Sequence, residues 1–300
     1  MKILNFGSCN IDYVYKLPHI VVPGETLTAS SLSLFPGGKG LNQSVAAARA
    51  GAQVYHAGVI GSDGGMLRDV LKESGADVRY LQQVDCQNGH AIIQLSDSAQ
   101  NSIFLHVGTN GMVTKEYIDQ VLTQFSAGDI LVLQNEISNV PYLIERGCAL
   151  GMRVIFNPSP FDSSLLQLPL EKVDYLILNE VEAAGFFGCE DTQRILAEKQ
   201  KRYPALKMVL TLGKEGCIYA DESGVIACPA FMVEAVDTTA AGDTFAGYFA
   251  AALAEEMETE HALGRASAAS ALAVSAMGAA PSIPKRDQVI LAQKTLKPYK

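Results

Sequence analysis

The sequence predicts an α/β fold: a doubly wound, mostly parallel sheet flanked by helices, with a small additional β-sheet. Three observations carry that expectation. Short β-branched runs alternate with glycine-containing loops and helical stretches, the pattern of right-handed βαβ units. Several strand runs are apolar throughout, as in Ile130-Leu131-Val132-Leu133 and Tyr175-Leu176-Ile177-Leu178, and such runs belong to strands covered on both faces. Two segments break the rhythm and read as extra strands.

In chain order, strands are expected at residues 2–6, 53–60, 129–134, 153–157, 174–178, 207–211, 216–220 and 224–228. Helices are expected at 42–50, 65–74, 114–125, 140–150, 180–187, 191–203, 242–256, 260–277 and 287–296. Of the two irregular segments, approximately 12–36 shows partial period-2 alternation, and 88–108 reads as a hairpin with a polar turn at 96–101. Together they would make four short strands beside the main body, suited to a lid or a dimerisation surface. No internal repeat or low-complexity linker interrupts the chain, so residues 1–300 read as a single domain.

Composition narrows the function. Hydrophobic residues make up 48% and charged residues 18%, enough for a sizeable core and too apolar for a disordered chain. A net charge of −9 disfavours nucleic acid or an anionic membrane surface as partner. The start, Met1-Lys2-Ile3-Leu4-Asn5-Phe6, lacks a signal-peptide pattern, and the Ala/Ser/Gly-rich stretch 266–280 is shorter than the ~20 residues of a membrane span. A cytoplasmic protein is expected. The six cysteines form no CxxC pair and read as reduced, buried thiols; the histidines show no zinc-binding spacing, and no G-x-S-x-G elbow exists.

The strongest local signal is Asp237-Thr238-Thr239-Ala240-Ala241-Gly242-Asp243, where small residues open a helix. Backbone N–H groups at such a start converge on an anion, and the helix dipole adds to the attraction. Asp243 would serve there as a base beside a phosphate, or simply as the helix N-cap. A second signal, Gly37-Gly38-Lys39-Gly40-Leu41-Asn42-Gln43, allows close backbone approach to a ligand, or is a plain loop before a core helix. It is neither a Walker A loop nor a dinucleotide fingerprint. After the first strand comes Gly7-Ser8-Cys9-Asn10-Ile11-Asp12, where Asn10 and Asp12 point the same way and suit one polyol; an Asx-turn is the other reading of Asp12. Further strand ends are polar too: Gln134-Asn135-Glu136, Asn157, Asn179 to Glu182, and Thr211 to Gly216. They suggest one shared site on one sheet edge.

Taken together, these motifs resemble the ribokinase (PfkB-type) family of carbohydrate kinases. Both family signatures are present in order, the glycine-rich one near the start and the Asp237–Asp243 one near the end, and the resemblance spans nearly the whole chain. It implies a ribokinase-like fold with the two irregular segments as a β-sheet lid that often also pairs two subunits. It further implies ATP-dependent transfer of the γ-phosphoryl to the primary hydroxyl of a sugar, most simply the 5-hydroxyl of D-ribose. Other furanoses, ketohexoses and nucleosides are the alternatives within the family, and a non-catalytic sugar or nucleotide sensor is the alternative outside it. An intact Gly242-Asp243 argues against the sensor.

The resemblance assigns roles by position. Asn10, Asp12, Gly38, Lys39, Gly40, Asn42 and Glu136 would hold the sugar. Asp243 would be the catalytic base, and Ala240, Ala241 and Gly242 the anion hole. Asn179, Glu182, Thr211, Gly213, Lys214, Gly216, Gly242 and Ser267 would surround ATP, with Glu182 reaching Mg²⁺ through water. Asp237, Thr239, Ala273, Ala276, Gly278 and Ser282 would bind a monovalent cation such as K⁺, mostly through carbonyl oxygens. Ser267 stands where many relatives place His or Asn against the base, and His90 and Leu41 replace smaller residues near lid and sugar.

Overall fold

Alternate residues of the apolar runs feed two different cores. In the computed structural model, which describes residues 1–98 and 100–299, Ile130 and Val132 enter one core, while Leu131 and Leu133 enter the other. Tyr175 and Ile177 separate from Leu176 and Leu178 in the same way. A strand with both faces buried has no need of polar alternation.

The chain begins with β1 (Ile3–Phe6), β2 (Asn10–Leu17), β3 (Ser31–Gly37), α1 (Lys39–Arg49), β4 (Val54–Ile60), α2 (Gly65–Glu73) and β5 (Asp77–Gln83). It continues through β6 (Gly89–Ser96), β7 (Asn101–His106), α3 (Lys115–Leu122), β8 (Ile130–Gln134), α4 (Val140–Ala149) and β9 (Arg153–Asn157). Next come β10 (Tyr175–Asn179), α5 (Glu180–Phe187), α6 (Thr192–Arg202), β11 (Lys207–Thr211), β12 (Cys217–Ala220) and β13 (Val225–Cys228). The last elements are α7 (Ala241–Ala254), α8 (Thr259–Val274) and α9 (Arg286–Thr295).

Among the described residues the main sheet has nine strands in the order β13-β12-β11-β10-β9-β8-β1-β4-β5. From β11 to β5 every neighbour is parallel, and β12 and β13 extend the edge as an antiparallel hairpin. Residues of α1, α2, α7, α8 and α9 pack into one core, and those of α3, α4, α5 and α6 into the other. This is the doubly wound α/β architecture that the sequence implies.

The irregular segments form a second sheet in the order β3-β2-β6-β7, with β2 and β6 parallel and the outer pairs antiparallel. In-register residues share a face. Asp12 therefore lies on one face with Phe35, Ala91 and Leu105, while Tyr13, Leu34, Ile92 and Phe104 lie on the other.

Several expectations need correcting. Strand β5 is absent from the sequence reading because it is an edge strand: pairing only with β4, it carries Asp77, Arg79, Gln82 and Gln83 rather than an apolar run. Helix α1 begins at Lys39, three residues earlier than expected, because Gly38 supplies the entry turn at φ 93. Helix α8 stops at Val274, and Ala276 and Gly278 belong to the loop beyond it. Of the six thiols, Cys9 and Cys217 are buried, whereas Cys148 is exposed and the other three are half-buried; all are free. No described helix is long and apolar enough to cross a membrane.

Candidate active site

The chain order reverses beside β1: it runs to β4 and β5 on one side and resumes at β8 on the other. Loops leaving β1 and β8 therefore diverge and open a crevice at the carboxyl ends of the strands. The start of α1 fills its floor. The N–H of Leu41 donates to Ser8 O at 2.8 Å, that of Gly40 to Ser8 Oγ at 3.2 Å, and that of Lys39 to Glu136 Oε2 at 3.0 Å. Ser8 Oγ donates in turn to Glu136. The signature glycines are needed for this contact. A Cβ on Gly38 would lie 2.8 Å from the Asn10 N, and one on Gly40 would collide with the backbone of Gly7. Their close approach is to the 7–10 segment, and Gly37 gives room to the Asp12 carboxylate.

Asp243 is the third residue of α7, buried at 7% exposure. It is not the N-cap; Ala240 holds that position in the left-handed region at φ 59. The carboxylate is instead held from α1: Asn42 Nδ2 donates to Oδ2 at 3.0 Å and Gln43 Nε2 to Oδ1 at 3.1 Å. Gln43 is fixed by its own partners, donating to Asn157 Oδ1 and accepting from Gln134 Nε2 at 2.8 Å. Gln134 Nε2 also donates to Asn5 Oδ1. Sequence reasoning overlooked Gln43 as a site residue; the available signal was a second amide directly after Asn42 at the start of a helix. The close packing of α7 on α1 depends on Gly247, whose added Cβ would lie 2.5 Å from both Ala46 Cβ and Gln43 O.

Charge in the crevice is concentrated around Lys39. Burial alone would lower its pKa, but Asp243, Glu136 and Glu182 outweigh that and hold the ammonium above its ordinary value. Burial pushes Asp12 up to about 7, with the negative charges of Glu136 and Asp243 adding to the effect. Burial also raises Glu136, against the opposing pull of Lys39 and Ser8. Asn10 is oriented by Asn110, whose Nδ2 donates to its Oδ1 at 2.7 Å and whose Oδ1 accepts from the Cys9 N–H. Asn88 is buried and ties the Cys9 and Gly89 carbonyls together. Two expected specificity residues do not face the crevice: Leu41 is fully buried in the core, and His90 lies on the sheet face opposite Asp12, against Tyr13 and His106.

A cleft of ≈ 530 Å³ adjoins this site. It brings together Lys39, Asn179, Glu182, Thr211, Gly213, Lys214, Gly216, Ala240, Ala241, Gly242, Asp243 and Ser267. Asn157, Ala230, Phe231 and Tyr299 are among the other residues that line it. The Ala241 N–H donates weakly to Thr238 O at 3.3 Å, while those of Gly242 and Asp243 have no intrahelical acceptors, and Gly242 opens onto the cleft without a side chain to cover them. Asn179 and Glu182 form a capping box on α5: Asn179 Oδ1 accepts from the Glu182 N–H at 2.9 Å, and Glu182 Oε2 accepts from the Asn179 N–H at 3.0 Å. Asn10, Asp12, Gly38, Gly40, Asn42 and Glu136 lie outside this lining, on the α1 and small-sheet side.

The expected cation residues lie outside the cleft lining, on the loop before α7 and at or beyond the end of α8. Asp237 links two loops, accepting from the Thr239 N–H and the Gly278 N–H at 2.9 Å each. Burial opposes its charge, but these donors, with the Thr239 hydroxyl, hold the carboxyl below its ordinary value. Val274 O accepts from the N–H groups of Val236 and Asp237, tying this loop to the end of α8. Ala273 O accepts from the Ala276 N–H, and Ser282 Oγ donates to Ala279 O. No cluster of three His, Cys, Asp or Glu side chains suited to a metal exists among the described residues.

The pfkB family carbohydrate kinase model matches residues 1–286. The chain belongs to the pfkB family of carbohydrate kinases. Among pfkB relatives, the protein named ribokinase from Haemophilus influenzae is 35% identical over 298 residues, covering 95% of each chain. That of Bacillus subtilis is 37% identical over 288 residues, covering 94% of this chain and 96% of its own. A deoxyribokinase of Salmonella typhimurium is 30% identical over 298 residues, covering 96% and 97%. Among solved structures, the ribokinase of Cryptococcus neoformans in complex with ADP superposes with a TM-score of 0.86 at 31% identity, covering 97% of this chain and 99% of that one. The ribokinase of Arabidopsis thaliana complexed with ribose and ATP gives 0.84 at 28% identity, covering 98% of each.

Proposed function

We propose that this pfkB-family kinase transfers the γ-phosphoryl of ATP to the primary hydroxyl of a sugar, D-ribose giving D-ribose 5-phosphate. The observation that carries the reading is Asp243, a buried carboxylate fixed by two amides at the open first turn of α7. Phosphoryl transfer demands positioning and charge neutralisation more than covalent chemistry. Asp243 would take the proton of the attacking hydroxyl, while the first-turn N–H groups at Ala241 and Gly242 and the α7 dipole stabilise charge on the transferring group. Asn10, Asp12, Lys39, Asn42 and Glu136 would hold the sugar hydroxyls. Asn179, Thr211 to Gly216 and Ser267 would hold the nucleotide in the cleft.

The residues fit the ions this chemistry needs. A site without a cage of protein ligands suits Mg²⁺, which keeps its waters and is carried in on phosphates. Glu182 faces the cleft and commits only Oε2 to its capping box, so it would bind that water shell. Bound there, Mg²⁺ neutralises phosphate charge. The all-oxygen set of Asp237, Thr239, Ala273, Ala276, Gly278 and Ser282 suits K⁺ and would stiffen the loop leading into the anion hole. We also propose that the small sheet serves as lid and pairs two copies, since Leu32, Leu34, Ile103, Phe104 and Leu105 are exposed on it.

The test is ADP release with ATP and Mg²⁺, offering ribose, deoxyribose, fructose, tagatose and nucleosides separately. Turnover with ribose, with Asp243→Asn reducing it ~10²–10⁴-fold while ATP still binds, is the expected result. Near-normal turnover of Asp243→Asn would remove the base from the mechanism. The deoxyribokinase relative favours a second reading, in which deoxyribose is the preferred acceptor; a higher kcat/KM for it than for ribose would select that reading.

A further inference from the structure

The sequence scatters its cysteines, yet the fold sets two of them side by side. Cys217 opens β12, Cys228 closes β13, and the two are register partners across the hairpin. Directly opposed residues of an antiparallel pair have Cα atoms ~4.5–5.5 Å apart and side chains on one face. A disulfide spans ~4.4–6.8 Å between Cα atoms. Both thiols converge on α8: Cys217 Sγ and Cys228 Sγ each lie 3.8 Å from Ser267 Oγ. Ser267 lines the cleft, together with Gly216 just before Cys217 and Ala230 just after the Cys228-Pro229 turn.

We propose that Cys217 and Cys228 form a reversible disulfide that reshapes this wall of the cleft and weakens nucleotide binding, with a low-molecular-weight disulfide as the oxidant. The effect on nucleotide rests on the ATP-site reading above; the bridge itself does not. The two thiols are unequal in the way the exchange requires. Cys228 is half-buried, and the neighbouring Cys217 thiol, with the Ser267 hydroxyl, holds its own thiol below the ordinary value, which favours the thiolate. Cys217 is buried, and its thiol is pushed up, first by the neighbouring Cys228 and then by burial. Cys228 thiolate attacks one sulfur of the oxidant and expels the other as thiolate, leaving a mixed disulfide. Cys217 then loses its proton to water and attacks Cys228 Sγ, expelling the second small thiolate. The protein thus loses two electrons and two protons, and the oxidant is reduced to two thiols.

Bond formation draws both sulfurs toward each other and away from Ser267. The hairpin root has little slack to absorb the change, because Gly216 sits at φ 94 and an added Cβ there would collide with the Cys228 carbonyl oxygen and lie 2.7 Å from the Ala230 N. The displacement is therefore passed to Gly216, Ala230 and Ser267, the cleft side of the wall.

The test treats the full-length protein with glutathione disulfide at neutral pH, then counts free thiols and maps the linkage by peptide mass spectrometry. Free thiols should fall from the six of the reduced chain, the two lost being Cys217 and Cys228 in one cross-linked peptide pair. The KM for ATP should rise several-fold with a smaller change in kcat, and dithiothreitol should reverse it. Cys228→Ser should keep the reduced enzyme's KM and lose the response. A linkage elsewhere, a reaction that stops at a mixed disulfide on Cys228, or a bridge that leaves the KM for ATP unchanged would overturn the proposal. Failure of the reduced protein to phosphorylate any sugar would count against the kinase reading alone, because the bridge is read by mass.

Discussion

Asp12 shows how a single residue can be costly to the fold and useful to the site. Desolvation of this half-buried carboxyl, with the negative charges of Glu136 and Asp243, pushes it up to about 7, whereas in the unfolded chain it titrates near 3.9. Between those values the folded state holds the proton and the unfolded state does not, so stability contributed at this residue falls as pH rises and the loss is complete above about 7. The full penalty is on the order of 4 kcal/mol. Asp12→Asn cannot ionise, and without sugar it should match the parent near pH 4 and melt at higher temperature at pH 8. Thermal unfolding across that range checks this; parallel curves for the two proteins would show that Asp12 ionises freely in the fold. The same substitution should raise the KM for sugar, since an ionised Asp12 accepts hydroxyl hydrogen bonds that an amide accepts less strongly. On the proposed sugar-site reading, stability is exchanged here for a ready acceptor, as expected where a site breaks the rules that govern a core.

At the scale of elements, the position of Asp243 is a consequence of helix packing. Helices α1 and α7 approach closely because Gly247 leaves room for Ala46 Cβ and Gln43 O, and one turn earlier on α7 that approach brings Asp243 within reach of Asn42 and Gln43. Gly247→Ala should cost ~1–3 kcal/mol by overpacking and, with Asp243 as the proposed base, lower kcat more than it raises the KM for ATP, because Asp243 is displaced while the distant cleft wall is not. An equal fall in stability with kcat intact would separate the packing from the alignment. The sequence exposed much of this arrangement: both signatures, the apolar runs and the polar strand ends are local patterns. The paired amides Asn42-Gln43 hint at a polar partner but do not say that it is Asp243, about 200 residues on, and β5 is hidden because its edge position requires no apolar run. The nearness of Cys217 and Cys228 was hidden as well, since it arises from hairpin register rather than spacing. His90 and Leu41 were misjudged for a related reason: proximity in sequence to a lid strand or a signature does not fix which face a side chain takes.

For the whole molecule, the small sheet raises the question of what covers it. Both of its outer strands are apolar yet exposed: Leu32 and Leu34 on β3 are 47% and 46% exposed, and Ile103 and Phe104 on β7 are 53% and 57% exposed. Edge strands of this kind invite pairing with a second chain unless charge or proline blocks it, and the run Ser102-Ile103-Phe104-Leu105 has neither. The register sorts these residues by role. Leu34 and Phe104 share the face opposite Asp12, whereas Phe35, Ile103 and Leu105 share the Asp12 face. Two copies paired through the first set would bury the apolar back of each lid and leave the other face over the sugar. Light scattering should accordingly give twice the 32.0 kDa chain mass, and Phe104→Asp combined with Leu34→Asp should give the single-chain mass. Because neither residue faces Asp12, the KM for sugar of the dissociated enzyme should change far less than its oligomeric state, with any loss appearing as faster futile hydrolysis of ATP from a lid no longer held in place. A parent protein that is already a single chain at micromolar concentration would remove the pairing and leave the exposed strands to the lid alone.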